Sequence, residues 1–203
     1  MRIAFYYDYG CPWAYLGSSR IESYFKDYPV EIEFHPMLLS IVREASPEPA
    51  AGGARGPAMG PRKLRNVAND LRHWAELCGA EFSPQARSIR PDSRLLAQAA
   101  LVAQDAGMLR AFHYPAFRAR WAEARDIADP DVVRSLLQNA GLDGERALAL
   151  AQSDALRARI DAASQEAIER GVFGAPTLFV GDEMFWGNDR FEVARHYVQK
   201  AIG

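Results

Sequence analysis

The stretch YYDYGCPWAYLG, Tyr6–Gly17, joins the end of an apolar segment to the start of a predicted helix. Residues 2–8 are rich in aromatic and branched side chains, and this composition predicts a short buried strand. Cys11 then stands where a helix N-cap is expected, and Pro12 occupies the first helical position, which proline favours. We predict that this helix runs to about Lys26.

The rest of the chain is one long helical block with strand-forming segments on either side. Residues 30–37, VEIEFHPM, alternate apolar and polar side chains, which predicts a second strand. Residues 45–62 are dense in Pro, Gly and Ala, as in a loop or mobile flap. From 63 to about 171 the sequence is helical in character. Residues 175–187, APTLFVGDEMFWG, return to strand composition with a GD hairpin turn, and a last helix is predicted over about 190–201.

This order predicts an α/β protein with a thioredoxin-like fold, in which a large all-helical domain is inserted between a βαβ half and a ββα half. Residues 1–45 and 172–203 are predicted to form the thioredoxin-like domain. Residues 46–171 are predicted to form the inserted helical domain, with the Pro/Gly-rich loop at its start. A chain of 203 residues is long enough for a sizeable core.

Charge and composition argue against several classes of partner. The formal net charge is −2 and the pI is about 6.1, so neither nucleic acid nor an anionic membrane is expected as a partner. No apolar run is long enough for a membrane helix, and Asp8 interrupts the apolar start, so no secretory signal is expected. Only two cysteines occur, Cys11 and Cys78, which predicts no disulfide framework and a cytosolic location. The histidines lack ligand-like spacing, so no metal site is expected.

Cys11 is the candidate reactive group. At the start of a helix, unpaired N–H groups and the helix dipole favour negative charge, so we expect a thiolate with a lowered pKa, or stabilisation of a bound ligand's thiolate. The alternative is a small buried hydrophobic residue, a common role of free cysteine. Ala14 stands where a dithiol oxidoreductase has its second cysteine, which is needed to resolve a mixed disulfide. The pattern therefore predicts a thiol-handling site without dithiol chemistry.

A second pattern lies in GVFGAPTLFV, residues 171–180, where a small residue, Pro and Thr precede an apolar strand. Thioredoxin-like proteins have this arrangement opposite their active thiol. We predict a cis Ala175–Pro176 bond facing Cys11, because the cis isomer exposes the Ala175 backbone to a thiol ligand. A trans proline that enters a strand is the alternative.

Three stretches together resemble a known family: FYYDYGCPWAYLGSSRIE (5–22), PRKLRNVANDLRHWAE (61–76) and GVFGAPTLFVGDEMFWGNDR (171–190). They are similar to the 2-hydroxychromene-2-carboxylate isomerases and the kappa-class glutathione transferases, in the DsbA-like branch of the thioredoxin superfamily. The resemblance covers essentially the whole chain. It implies glutathione as the cofactor, a small aromatic molecule as the substrate, and a homodimer.

The resemblance also implies roles for individual residues. The family's active position, usually Ser, falls on Cys11, and its cis-proline falls on Pro176. Ala175 is then expected to pair, backbone to backbone, with the cysteinyl unit of glutathione. With Cys at the active position, the side chain either donates a hydrogen bond to the glutathione thiolate or acts as a nucleophile itself. We favour the donor role, because the third stretch is similar to the isomerases.

Further residues are assigned to the two ends of the ligand site by the same resemblance. Asn188 and Asp189 match the site for the γ-glutamyl end of glutathione, and Lys63 matches a lysine that binds a substrate or glycyl carboxylate. Trp13 and Trp186 are expected to line the aromatic substrate pocket. The alternatives are a solvated side chain for Lys63, an N-cap for Asp189, and core packing for the two tryptophans.

The sequence thus predicts a glutathione-dependent isomerase of the 2-hydroxychromene-2-carboxylate type. One alternative is a DsbA-like monothiol thiol–disulfide oxidoreductase, or a kappa-type glutathione transferase. Another is a non-catalytic glutathione-binding protein on the same scaffold, since a fold does not fix a function.

Overall fold

The structure, a computed structural model, describes residues 1–45 and 59–203. Its sheet contains β1 (Arg2–Tyr7), β2 (Glu31–Pro36), β3 (Thr177–Val180) and β4 (Glu183–Trp186). The helices of the described residues are α1 (Pro12–Ser18), α2 (Ile21–Phe25), α3 (Leu39–Ala45), α4 (Pro61–Cys78), α5 (Arg94–Asp105), α6 (Leu109–Trp121), α7 (Pro130–Asn139), α8 (Gly144–Ala151), α9 (Asp154–Glu169) and α10 (Phe191–Ile202). The loop or flap that the sequence predicts over 45–62 lies largely outside the described residues.

The sheet has the strand order β2-β1-β3-β4. β1 is parallel to β2 and antiparallel to β3, and β3 and β4 form an antiparallel hairpin. The hairpin turns at Gly181, whose φ of 61° is a conformation that glycine adopts at low cost. Helices α4 to α9 lie in the chain between β2 and β3, so the predicted thioredoxin-like fold with an inserted helical block is confirmed. The exact domain boundaries stay a prediction.

The interior strand β1 has side chains buried on both faces, Ile3, Phe5 and Tyr7 on one and Ala4 and Tyr6 on the other. A strand covered on both faces needs an apolar sequence, which explains the composition of residues 2–8. The carboxyl end of β1 delivers the chain directly into the turn that precedes α1. The sheet therefore fixes where Cys11 lies.

The first helix is shorter than the sequence predicts. Instead of running to Lys26, α1 ends at Ser18, and α2 begins at Ile21. Between them Arg20 takes φ −128° and ψ −13°, and its N–H bonds to the Gly17 carbonyl at 3.2 Å instead of continuing the helix. The bend turns the Arg20 side chain toward the last helix.

The helical character predicted from 63 to about 171 is confirmed, and α3, which precedes that range, is a helix that the sequence did not predict. Gly79 ends α4 in the left-handed conformation, with φ 61°. α3 packs on α9, the last helix of the helical block. None of the helices described is both long and apolar enough to cross a membrane.

Candidate active site

The Cys11 side chain lies between the start of α1 and the Ala175–Pro176 bond. Its backbone has φ −101° and ψ 116°, the extended conformation typical of an N-cap. Its Sγ donates a hydrogen bond to the Ala175 carbonyl oxygen at 3.2 Å, and the residue is only 5% exposed. The backbone amides of Trp13 and Ala14, at the start of α1, act on the thiol by lowering its pKa. The thiol therefore lies between the start of a helix and the backbone opposite it.

The protonation state of Cys11 differs from the expected one. Burial raises the pKa of the Cys11 thiol to about 11; the Ala14 and Trp13 amides oppose this shift, and the Asp8 charge adds to it. The prediction of a thiolate is therefore wrong, and Cys11 is a neutral thiol near pH 7. The sequence indicated the helix amides but not how completely the fold removes water from the sulfur.

Asp8 fixes the loop that carries Cys11. Its carboxylate, in a residue 5% exposed, accepts hydrogen bonds from Gly10 N at 2.6 Å and from Leu39 N at 2.7 Å. Ser93, which directly precedes α5, also interacts with the carboxyl group and lowers its pKa. Burial raises the pKa of the Asp8 carboxyl, and these hydrogen bonds oppose the rise.

Tyr9, next in the loop, is held by α6. Trp121 donates from Nε1 to the Tyr9 carbonyl at 2.9 Å, and the Tyr9 hydroxyl lies 3.4 Å from His113 Nδ1. His113 Nε2 lies 3.0 Å from Ser18 Oγ. Burial lowers the pKa of His113 to about 3, so this ring is neutral. The Cys11 loop is therefore tied to α3, α5 and α6 by buried contacts.

The Ala175–Pro176 bond is cis and faces Cys11, as predicted. The proline packs closely on α1: a Cβ at Gly17 would lie 3.3 Å from Pro176 Cγ. Thr177 Oγ1 donates to the Gly174 carbonyl at 2.8 Å and closes the turn that presents Ala175. The backbone next to the thiol is thus rigidly placed, and its role in binding glutathione stays a prediction.

A cleft of about 350 Å³ lies beside Ala175. Its lining residues are Trp13, Asp70, Trp74, Ala175, Trp186, Gly187, Asn188 and Asp189. Five of the eight predicted site residues belong to this set, and Cys11 and Pro176 adjoin it through Ala175. The eighth, Lys63, does not line the cleft.

The turn at residues 187–190 forms one end of the cleft. Gly187 has φ 114°, and a Cβ there would lie 2.4 Å from Asp189 Oδ1, so glycine is required for this Asp189 position. Asn188 is 4% exposed, and its Nδ2 has no hydrogen-bond partner among the described residues. Asp189 Oδ2 lies 3.7 Å from Arg190 Nη1. The turn thus holds an unsatisfied donor beside a carboxylate.

The wall from α4 differs from the one predicted. Lys63 is exposed on the first turn of α4, and the helix contributes Asp70 and Trp74 instead, seven and eleven residues further along. Asn66 Nδ2 donates to Asp70 Oδ2 at 2.9 Å and orients the carboxylate. The spacing of Asp70 and Trp74 by four residues places them on one helix face, a signal that the sequence analysis missed.

Trp186 forms the outer wall from the end of the edge strand β4. It is 52% exposed, and its indole contacts Phe173 and Gly174. The Phe173 ring lies 4.9 Å away at 59°, and a Cβ at Gly174 would come within 2.4 Å of Trp186 Nε1.

In residues 1–45 and 59–203, no group of three or more His, Cys, Asp or Glu side chains could hold a metal ion.

Comparison with known proteins agrees with this arrangement. A DSBA-like thioredoxin domain matches residues 2–199. A 2-hydroxychromene-2-carboxylate isomerase from Pseudomonas sp. (strain C18) is 33% identical over 195 residues, which cover 93% of this chain and 85% of the relative. Glutathione S-transferase kappa 1 of Homo sapiens is 23% identical over 208 residues, covering 96% and 89%. A solved structure of a 2-hydroxychromene-2-carboxylate isomerase superposes with a TM-score of 0.82 at 28% identity, covering 100% of this chain and 96% of that chain.

The chain belongs to the DSBA-like thioredoxin domain family, and its full-length relatives assign it, within that family, to the 2-hydroxychromene-2-carboxylate isomerases and their kin.

Proposed function

We propose that this protein is a glutathione-dependent isomerase of the 2-hydroxychromene-2-carboxylate type, acting on a small aromatic, conjugated substrate. The observation that carries the proposal is the position of the Cys11 thiol at the start of α1, 3.2 Å from the Ala175 carbonyl and beside a cleft lined by three tryptophans. The full-length similarity to proteins named as such isomerases supports the reaction type.

The cleft fits glutathione in size and in chemistry. A volume of about 350 Å³ is within the range of small-molecule sites. Asn188 Nδ2 is a donor for the γ-glutamyl carboxylate, and Asp70 and Asp189 are acceptors for the ammonium group. The Ala175 backbone is available to the cysteinyl unit. A relative named as a glutathione transferase supports the choice of thiol, while a role for Lys63 stays a prediction.

When bound, glutathione supplies a thiol that adds reversibly to the conjugated system of the substrate. In the bound state the single Cys11 S–H turns from the Ala175 carbonyl, its partner in the free protein, and donates to the glutathione sulfur instead. The Trp13 and Ala14 amides favour negative charge at the same place. Because Cys11 keeps its own proton, repulsion between two adjacent thiolates is avoided. Trp13 and Trp186 present flat apolar surfaces to the aromatic ring of the substrate.

A monothiol exchange reaction at Cys11 and a kappa-type transfer are the alternatives. The thiol itself favours exchange, but a pKa of about 11 and nearly complete burial make Cys11 a poor nucleophile. A glutathione-binding protein without catalysis is the remaining alternative. The homodimer and the cytosolic location stay predictions.

The deciding experiment compares the wild type with Cys11→Ser and Cys11→Ala in glutathione-dependent turnover of 2-hydroxychromene-2-carboxylate under reducing conditions. A donor role predicts that Ser preserves or raises turnover, because a hydroxyl is the better donor, and that Ala lowers it. An inactive Ser variant would overturn the donor role. A wild type that is inactive here but reduces a glutathionylated peptide would establish exchange, and binding of glutathione without either activity would establish the non-catalytic alternative.

A further inference from the structure

Arg20, in the bend between α1 and α2, does not line the cleft but contacts two residues that do. Its Nη2 donates to the Asn188 carbonyl oxygen at 2.8 Å. Its guanidinium carbon lies 5.1 Å from the centre of the Trp74 ring and 4.7 Å from that of Phe191. Since Trp74 and Asn188 both line the cleft, Arg20 supports the place where α4 and the turn at 187–190 meet.

The charge of Arg20 is not neutralised within the described part of the chain. None of the carboxylates described there forms an ion pair with it. Its Nε is buried without a hydrogen-bond partner, and so is the Nδ2 of Asn188. Buried donors of this kind are unfavourable until a group satisfies them. Of the two, Asn188 Nδ2 belongs to the cleft lining, and this open donor beside an unpaired cation indicates an anionic ligand group.

The hydrogen bond from Arg20 acts on the peptide unit that joins Asn188 to Asp189. A charged donor on this carbonyl polarises the unit and makes its N–H, which belongs to Asp189, a stronger donor. The same N–H lies in the turn before α10, where amides lack helical partners. The Asp189 N–H and Asn188 Nδ2 are thus two donors beside one positive charge.

We propose that Arg20 is a positioning residue through which the cleft recognises a carboxylate of its ligand, acting through the Asn188–Asp189 peptide and not by direct contact. This inference rests on the proposed function, in which that group is the α-carboxylate of the γ-glutamyl end of glutathione. The exposed Lys63, which does not line the cleft, does not account for this recognition. The alternative is that Arg20 serves only packing, through its aromatic neighbours.

Calorimetry on the intact chain separates the two roles by comparing two ligands. One is glutathione, and the other is γ-aminobutyryl-cysteinyl-glycine, which differs from it only in lacking the α-carboxylate. The variants are Arg20→Gln, which removes the charge, and Arg20→Lys, which keeps it. Arg195→Gln is the matched control, because Arg195 also lies 5.2 Å from the centre of the Tyr24 ring but belongs to an exposed ion pair with Glu192.

We expect Arg20→Gln to raise the Kd for glutathione about tenfold and to change the Kd for the analogue by less than about twofold. Arg20→Lys should lose less than Arg20→Gln, and Arg195→Gln should match the wild type. Equal weakening of both ligands, or no weakening, would overturn the role of Arg20 while leaving the proposed function intact. If Arg20→Gln does not fold, the same comparison with Arg20→Lys decides. A wild type that does not bind glutathione removes the proposed function, and this inference with it.

Discussion

Gly174→Ala is expected to move one wall of the cleft and little else. A Cβ at this position would lie 2.4 Å from Trp186 Nε1 and 3.1 Å from Cε2, whereas ordinary contact begins at 3.4 Å. The indole must therefore retreat by about 1 Å, the difference between the first and last of these distances. The backbone itself accepts alanine, since the φ of Gly174 is not in the left-handed region.

The expected consequences differ for stability and for binding. Trp186 is 52% exposed and can swing outward, so the free energy of unfolding should change by less than about 1 kcal/mol. Misalignment of the indole with the substrate ring removes about 0.5–1.5 kcal/mol of favourable binding free energy between the two rings. That energy corresponds to a KM for the aromatic substrate that is roughly two- to twelvefold higher. The Kd for glutathione should stay near the wild-type value.

The assay combines substrate KM, glutathione calorimetry and acrylamide quenching of tryptophan fluorescence, which reports the greater exposure of Trp186. Gly60→Ala is the control, because a Cβ there meets nothing within 4 Å. In the Trp186→Leu background the same Gly174→Ala change should have a smaller effect, since the clashing ring is absent. A Gly174→Ala variant with wild-type KM and wild-type quenching would refute this reasoning.

Three further changes test other parts of the site. Asp189→Ala should weaken glutathione binding by about 1–3 kcal/mol, as expected for a lost charged hydrogen bond, and unchanged affinity in calorimetry would contradict the γ-glutamyl assignment. Asp8→Asn should lower the pKa of Cys11 from about 11, because the Asp8 charge helps to raise it. In a Cys78→Ser background, where Cys11 is the remaining thiol, iodoacetamide should then alkylate Cys11 faster at a fixed pH. An unshifted pH profile of the alkylation rate would contradict this prediction. His113 has a folded pKa lowered by burial to about 3 from 6.5, so the unfolded chain takes up its proton first as the pH falls. The free energy of unfolding should therefore drop by about 2 kcal/mol more between pH 7 and pH 5 in the wild type than in His113→Gln, and equal pH slopes in urea titrations would exclude this role.

Local signals in the sequence predicted the parts of the fold that depend on a few adjacent residues. Cys11-Pro12 marked the start of α1, and the Gly181-Asp182 pair marked the hairpin. The cis bond before Pro176 was predictable only together with the Cys-Pro helix start. Each of these features is set by backbone preferences that a short segment carries with it.

Features that depend on distant packing were missed. The thiol state of Cys11 follows from burial among parts of the chain far apart in sequence, so the helix start alone gave the wrong answer. The bend at Arg20 places its side chain against Asn188, a partner 168 residues away. Lys63 was chosen by resemblance, whereas Asp70 and Trp74, on the same helix, line the cleft.

The buried contacts of the Cys11 loop restrict how molecules enter the cleft. Asp8 accepts a hydrogen bond from Leu39 of α3 and interacts with Ser93 before α5, and Trp121 of α6 holds the Tyr9 carbonyl. A hinge motion between the sheet and the helical block would break the Ser93 and Trp121 contacts together, so such opening is energetically unfavourable. We expect the gate to be a single side chain, the half-exposed Trp186, and ligand exchange to occur at the speed of a rotamer change and not of a domain movement.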